Sequence, residues 1–210
     1  MKSQDIVVLL RLVSLHQKLR EADLLRARAN EPASVEWQGW DDIPDEHEGL
    51  SVPIMADEFS VRGLEASLGI SKSEVNASIK RSMRAGLALK ARKTGYPKAN
   101  IPNLVEFICH GLKYVFPAEP GAMVRGIPTG VAAPVLQGEL ISAGEYICVW
   151  PDPMGKEMGQ SLVPLYKSVP HGVRRDAELY AYLALVDAIR LGNPREAKLA
   201  QQLLEERLKS

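Results

Sequence analysis

The chain has few cysteines and no spacing that is typical of a metal or redox site. Only Cys109 and Cys148 occur among 210 residues, and they stand in different segments without a CxxC pair. A zinc site or a disulfide framework needs several such residues at short spacings, and the acidic residues do not follow the spacing of a calcium loop. We therefore expect two reduced thiols in apolar surroundings, no metal site and no cofactor.

Long apolar runs are also missing. No stretch approaches the roughly 20 apolar residues that a helix needs to cross a bilayer. The N-terminus does not match a secretory signal, because Asp5 precedes its apolar run. With 46% hydrophobic and 25% charged residues, the composition is that of an ordinary globular protein. We expect a cytoplasmic protein that has no membrane partner.

Recognisable catalytic patterns are absent as well. The GIPTG run at 126–130 lacks the GK[ST] ending of a phosphate-binding loop. His110 has no partner at a recognisable spacing, which favours a structural histidine over a catalytic one. Because no nucleophile is paired with a base, we predict that the protein is not an enzyme.

The net charge is zero, yet the charges are strongly segregated along the chain. Residues 30–58 contain nine acids and no Lys or Arg, and three prolines interrupt them. From Ser60 to Lys98 there are nine Lys and Arg against two acids, and such a patch attracts phosphate backbones. The acidic segment is either an exposed loop or a cover that folds over the basic patch and competes with a nucleic acid. Only a cover predicts that deletion of 31–52 tightens nucleic-acid binding.

Residues 59–87 predict two short helices that are joined by a tight turn. Ser60 is a candidate N-cap for the first helix, Gly69 is its stop, and Ile70 fills the angle between the helices. The second helix opens with Ser71-Lys72-Ser73-Glu74, which matches a capping box. Its apolar and small side chains fall on one face, which suits packing against the first helix: Val75, Ser78, Ile79, Ser82, Met83 and Gly86.

The opposite face of the second helix is polar and cationic, as a helix that reads the major groove requires. An ordinary solvated helix is the alternative. The residues that we expect to contact base edges are Lys72, Ser73, Asn76 and Lys80. The residues that we expect to contact mainly phosphates are Arg81, Arg84, Arg92, Lys93 and Lys98, the last three in a strand-like and basic turn that follows the helix.

The stretch SVRGLEASLGISKSEVNASIKRSMRAGLALKAR resembles the helix-turn-helix and wing of bacterial winged-helix transcriptional regulators of the MarR or IclR kind. The LxxxLGIS motif, followed by a helix that ends in xxGL, carries the resemblance over about forty residues. It implies a DNA-binding domain over about 1–100, with the acidic segment as an insertion. Residues 101–210 would then form an α+β region for dimerisation or partner binding.

The rest of the chain predicts an α+β fold that is mainly helical. Residues from Ser3 to Ala29 have the pattern of an amphipathic helix, and Asn103 to His110 predict a short helix that stops at Gly111 before a strand at 113–116. Six prolines and six glycines between 117 and 155 favour a few short, irregular strands, and 158–169 predicts another.

The C-terminal pattern is clearer. Asp176 and Glu178 begin a strongly apolar helix that ends near Gly192, and Asn193-Pro194 cap a last helix. Helices apolar over so much of their circumference are buried either within the chain or against a second subunit. We expect double-stranded DNA as the partner, and a homodimer would place two helix-turn-helix units on neighbouring half-sites. The alternative function is a protein-interaction module, such as an antitoxin or an adaptor, built on a winged-helix scaffold.

Overall fold

The computed structural model describes residues 1–29, 57–138 and 146–209. The acidic segment at 30–58 lies outside the described residues except for Asp57 and Glu58, and with it lies the hypothesis of a cover over the basic patch. Eight α-helices are described: α1 (Ser3–Ala29), α2 (Val61–Leu68), α3 (Lys72–Arg84), α4 (Ile101–Glu106), α5 (Leu112–Val115), α6 (Val169–Val173), α7 (Ala177–Leu191) and α8 (Pro194–Lys209). The described strands are β1 (Ala88–Lys90), β2 (Pro97–Ala99), β3 (Pro120–Thr129), β4 (Cys148–Pro151) and β5 (Glu157–Leu162). The predicted class, α+β and mainly helical, is confirmed.

The strands form two small sheets. β1 and β2 are an antiparallel pair in which Ala88 lies opposite Ala99. β3 pairs in antiparallel fashion with both β4 and β5, and β4 pairs in parallel with β5, so that these three strands close on one another. The predicted short strands between 117 and 155 are confirmed as β3 and β4. The strand predicted at 158–169 is confirmed only for its first part, within β5.

The helix predicted at Ser3–Ala29 is confirmed, but its amphipathic character is wrong. Its first half, 4–15, is buried on every side, including Asp5 and Arg11, because this half packs against α3, β2 and α7. Leu24 and Leu25 are instead 63% and 65% exposed. The charged residues of α1 also bear on whether this long helix could cross a bilayer. No helix in the described part of the chain is long and apolar enough to do so.

The charged residues inside the first half of α1 are compensated by distant partners. The Arg11 guanidinium donates hydrogen bonds to Asp176 and, over 2.8 Å, to Glu58. Ser14 donates to the same Asp176 carboxylate over 2.6 Å, and this carboxylate also caps α7 by accepting from the Leu179 N–H. Burial alone would raise the pKa of Asp176, but these hydrogen bonds and the positive charge of Arg11 hold it below its ordinary value. α1 is therefore tied to the start of α7.

Gly111 does not end a helix, contrary to the prediction. A π-helical turn at Phe107–Gly111 joins α4 to α5, and the predicted strand at 113–116 is helical through Val115. Glycine ends a helix when it takes the left-handed conformation, but Gly111 has a φ of −114°. His110 on this turn is exposed and lies 3.7 Å from the Glu106 carboxylate.

α7 is the buried centre of the C-terminal half. Nine of its 15 residues are buried, and α8 packs along it. Both helix starts are confirmed: Asp176 caps α7, and the Asn193 side chain accepts from the N–H groups of Arg195 and Glu196 at the start of α8. The apolar surface of α7 is thus covered within the chain, and the homodimer stays a prediction.

Both cysteines are free thiols, as predicted. Cys109 is buried, and burial raises the pKa of its thiol to about 11, so that it stays protonated at neutral pH. Cys148 is half-buried, and burial raises the pKa of its thiol as well. A protonated, buried thiol is a poor nucleophile and a poor metal ligand.

Candidate nucleic-acid interface

The turn between α2 and α3 has the local geometry that the sequence predicts. The Ser60 side chain accepts a hydrogen bond from the Gly63 N–H over 2.9 Å and so caps α2. Gly69 adopts a left-handed conformation, with a φ of 64°, and its N–H donates to the Glu65 carbonyl. Ile70 is fully buried beneath the turn. These three features fix α3 relative to α2.

The predicted capping box at the start of α3 is wrong. The Ser71 side chain makes no capping hydrogen bond and lies 3.3 Å from the Ser73 hydroxyl. The Glu74 carboxylate does not reach back to the Ser71 N–H, because it is bound by Arg81 over 2.6 Å and by the Lys2 ammonium over 3.1 Å. The acid near the start of α3 is thus neutralised by two cations and does not present a free negative charge.

The inner face of α3 is buried, as predicted. Val75, Ser78 and Ser82 are buried, while Ile79 and Met83 are half-buried against the core. The contact surface is wider than predicted, because α3 packs against α1 as well as α2.

The outer face of α3 is exposed over its whole length. Lys72, Asn76, Lys80 and Arg84 follow one another at a spacing of four residues, which aligns them along about 18 Å of helix. Ser73 is exposed beside them. Lys72 lies 3.6 Å from the Glu65 carboxylate, an exposed pair that a competing phosphate can displace at small cost.

Arg81 differs from the other predicted phosphate contacts, because its charge is satisfied inside the protein. Its guanidinium donates two hydrogen bonds to Asp5, over 3.0 and 2.6 Å, and a third to Glu74. The hydrogen bonds to Asp5 raise the pKa of Arg81. Burial would raise the pKa of Asp5, but the hydrogen bonds from Arg81 and the Lys2 N–H hold it below its ordinary value. The Arg81 guanidinium is therefore not free to contact DNA, unlike the other predicted phosphate contacts.

The β1–β2 hairpin places further cations beside α3. Arg92 and Lys93 are exposed in the loop of the hairpin, and Lys98 is half-buried on β2. The base of the loop is held by Tyr96, whose ring stacks on Phe59 with 4.8 Å between centroids. The His16 ring of α1 also contacts Phe59, with 4.7 Å between centroids, and His16 contacts the Pro97 carbonyl over 3.0 Å. The hairpin is therefore anchored to α1.

The structure leaves most of the cations between Ser60 and Lys98 without an ion-pair partner among the described residues. Both acids between Ser60 and Lys98 are used in ion pairs, Glu65 with Lys72 and Glu74 with Lys2 and Arg81. Within residues 1–29, 57–138 and 146–209, several cations of this region have no ion-pair partner: Arg62, Lys80, Arg84, Lys90, Arg92, Lys93 and Lys98. We call these seven residues, together with Lys72, Ser73 and Asn76, the cationic surface.

Two features of this region have no signal in the local sequence. The first is the contact of Asp5 and Lys2 with α3, which joins residues about seventy positions apart. The second is the support of α2 by α6: the Ser168 hydroxyl donates to the Leu68 carbonyl over 2.5 Å, and His171 contacts the Ala66 carbonyl over 3.3 Å.

The described part of the chain contains no group of three or more His, Cys, Asp or Glu side chains that could hold a metal ion.

Comparisons of the chain with protein-family models, with curated proteins and with solved structures find no match. The function has to be inferred from the geometry of the residues themselves.

Proposed function

We propose that the protein binds double-stranded DNA in a sequence-specific manner, as a cytoplasmic bacterial transcriptional regulator. In this proposal α2, α3 and the β1–β2 hairpin act as a winged helix-turn-helix, with α3 in the major groove and the hairpin as the wing. The observation that carries the proposal is the division of α3 into a buried inner face and an exposed outer face that bears Asn76 and Lys80.

The side chains of α3 suit different parts of the duplex. Asn76 can pair with the edge of an adenine, and Lys72 and Lys80 can donate to guanine acceptors in the major groove. Ser73 can contact either a base or a phosphate. Arg84, at the other end of the outer face, and Arg92, Lys93 and Lys98 of the hairpin would contact phosphates in this proposal.

One feature departs from an ordinary winged helix. The first helix of such a domain normally leads almost directly into the second, whereas here α1 has 27 residues and more than thirty residues separate it from the start of α2. α1 nevertheless supports both α3, through Asp5 in its buried half, and the hairpin, through the half-buried His16 that follows that half. It thus supplies the packing surface that a first helix would supply.

The test is selection from random double-stranded DNA fragments at a low and a physiological salt concentration. We expect one motif to be enriched at both, and the affinity for that motif to fall as salt increases. A homodimer predicts two half-sites whose centres lie about one DNA turn apart. Lys198→Ala, which removes an exposed lysine of α8 far from the cationic surface in sequence, is the matched control.

Two outcomes would overturn the proposal. If Asn76→Ala and Lys80→Ala leave the affinity for every DNA sequence unchanged, α3 does not read bases. A stoichiometric protein that co-purifies with the chain, in the absence of salt-dependent DNA binding, would establish the alternative function of an interaction module.

A further inference from the structure

A second candidate site lies away from the cationic surface, in the C-terminal half. A cleft of about 310 Å³ opens between β3, the turn that joins β4 to β5, the end of α6, and α7. Its lining residues are Ile127, Pro128, Met154, Gly155, Lys156, Val173, Arg174 and Tyr180. The volume corresponds to about ten water molecules and lies at the lower end of the range for small-molecule sites.

The walls of this cleft are held by specific contacts, so the cavity is formed before any ligand arrives. The Tyr180 hydroxyl donates to the Pro128 carbonyl over 2.7 Å, which joins α7 to β3. Gly155 lies directly on β3, since a Cβ at this position would be 2.2 Å from the Gly126 carbonyl carbon. Arg174 donates to both oxygens of the Asp152 carboxylate over 2.6 Å, which joins α6 to the turn.

The chemistry of the lining selects one class of ligand. Most of the lining is hydrocarbon, two of the lining side chains are cationic, and none is acidic. The charge of Arg174 is balanced by Asp152, whereas exposed Lys156 has no ion-pair partner in the described ranges. The larger cleft of about 400 Å³, along the second half of α1, contrasts with this one, because its lining mixes lysine and arginine with Glu21 and Glu178.

We propose that the cleft between β3, α6 and α7 binds a small organic carboxylate. The hydrocarbon body of the ligand, a ring or a short chain, packs between Ile127, Val173 and the Tyr180 ring. Its carboxylate lies at the rim and pairs with the Lys156 ammonium. Burial raises the pKa of the Tyr180 phenol, which therefore stays neutral and does not repel the anion.

The five-residue helix α6 connects this cleft to α2, which leads into the turn before α3. Val173 and Arg174, at the end of α6, line the cleft, while Ser168, just before α6, and His171, at its middle, contact the last carbonyls of α2. Gly172 between them packs on Leu68. A ligand that moves the end of α6 therefore changes the support of the turn before α3. Regulation of DNA binding by this route rests on the proposed function, whereas ligand binding itself does not.

The binding test needs no DNA. Calorimetric titrations of the full chain compare phenylacetate with phenethyl alcohol and phenethylamine. The three probes share the ring, and at neutral pH they are negative, neutral and positive, respectively. We expect phenylacetate to bind most tightly and the amine most weakly. Lys156→Gln should weaken the binding of phenylacetate about two- to fivefold, as for the loss of an exposed ion pair, and leave the affinity for the alcohol unchanged. Lys167→Gln, an exposed lysine outside the lining, is the control. Absence of binding by all three probes, or equal affinities of the acid and the amine, overturns the proposal.

The connection through α6 is tested by amide hydrogen exchange with and without phenylacetate. We expect the ligand to change the exchange of residues 66–70, and Ser168→Ala to remove that change while the titration still shows binding. Ligand binding with unaltered exchange at 66–70 refutes the connection. Because neither measurement involves DNA, this site can fail while the proposed function holds, and the reverse also applies.

Discussion

α3 and α7 are helices of similar length that treat their polar side chains in opposite ways. α7 has 15 residues, of which nine are buried, and its Asp187 and Arg190 side chains face inward. The Asp187 carboxylate is bound by Arg190, by the Trp150 indole over 2.7 Å and by Thr129 over 2.9 Å. α3 has 13 residues, of which three are buried, and most of its cations face solvent. α7 therefore stabilises the fold, whereas α3 leaves most of its cations open to solvent.

This difference predicts that substitutions separate into two groups. Those in the polar network of α7 should change the free energy of unfolding, because they leave buried charges without partners. Those on the outer face of α3 should change binding alone, because exposed side chains contribute little to stability. Arg81 tests this division into two groups, because it belongs to α3 but its guanidinium is hydrogen-bonded to the buried Asp5.

Asp187→Ala should cause the largest effect. It leaves the Arg190 guanidinium, whose side chain is 4% exposed, without its carboxylate partner, and it deprives Trp150 of an acceptor. We expect a loss of about 3–5 kcal/mol in the free energy of unfolding. Urea unfolding followed by circular dichroism measures it. Asp187→Asn keeps the volume of the side chain and one acceptor but removes the charge, so it should cost less. Equal losses would show that the charge accounts for the whole effect and that the volume and the remaining acceptor contribute nothing.

Arg81→Met should cost about 2–3 kcal/mol, because it leaves the fully buried Asp5 carboxylate without its strongest partner. The loss should depend on pH. The pKa of Asp5 is held below 3.8 in the native protein, so the contribution of the ion pair is present above that pH and is lost as pH falls through the native pKa. The deficit of the variant should therefore shrink in acid.

Urea unfolding of the native protein and of Arg81→Met, at neutral pH and at several acidic pH values, measures this dependence. Arg84→Met removes the neighbouring exposed arginine of α3 and should change stability by less than about 0.5 kcal/mol. A deficit of Arg81→Met that is constant across the pH range would contradict the role given to Asp5.

The parts of the fold that the sequence predicts correctly are those that depend on near neighbours. The Ser60 cap, the Gly69 turn and the periodic apolar side chains of α3 act within a few residues, and the same holds for the caps of α7 and α8. Because these signals are local, the outer face of α3 could be assigned residue by residue before any coordinates. Of the nine predicted contact residues, seven are exposed in the structure, whereas Arg81 of α3 and Lys98 of the hairpin are half-buried.

The features that the sequence does not reveal depend on distant partners. Arg11 appears as a solvent-facing charge in the periodicity of α1, yet its partner Asp176 lies 165 residues away. Arg81 is bound by Asp5, 76 residues earlier. The failed capping box has a related origin, because Lys2, which lies 72 residues earlier, and Arg81 on the same helix compete for the Glu74 carboxylate. A charge pattern reports which side chains are polar and not which of them will find a partner.

Asn76→Ala should leave stability within about 0.5 kcal/mol and weaken binding to the selected DNA motif by about 1–3 kcal/mol. The reason is the loss of a bidentate contact with one base, so the preference at one position of the motif should relax. Fluorescence anisotropy with the motif and with single-base variants measures both effects, and Lys198→Ala is the control. An equal loss of affinity for all DNA sequences would indicate that Asn76 contacts the DNA backbone and not a base.

Lys93→Ala should have the smallest effect, and it separates the hairpin from α3. Lys93 is exposed in the loop of the hairpin and is expected to contact a phosphate. Its removal should weaken all DNA sequences alike and reduce the slope of log affinity against log salt by about 0.9, because one fewer counterion is released on binding. Anisotropy titrations at several salt concentrations measure the slope. If the slope of the variant equals that of the native protein, the hairpin does not touch the duplex, and α3 alone would have to account for the salt dependence.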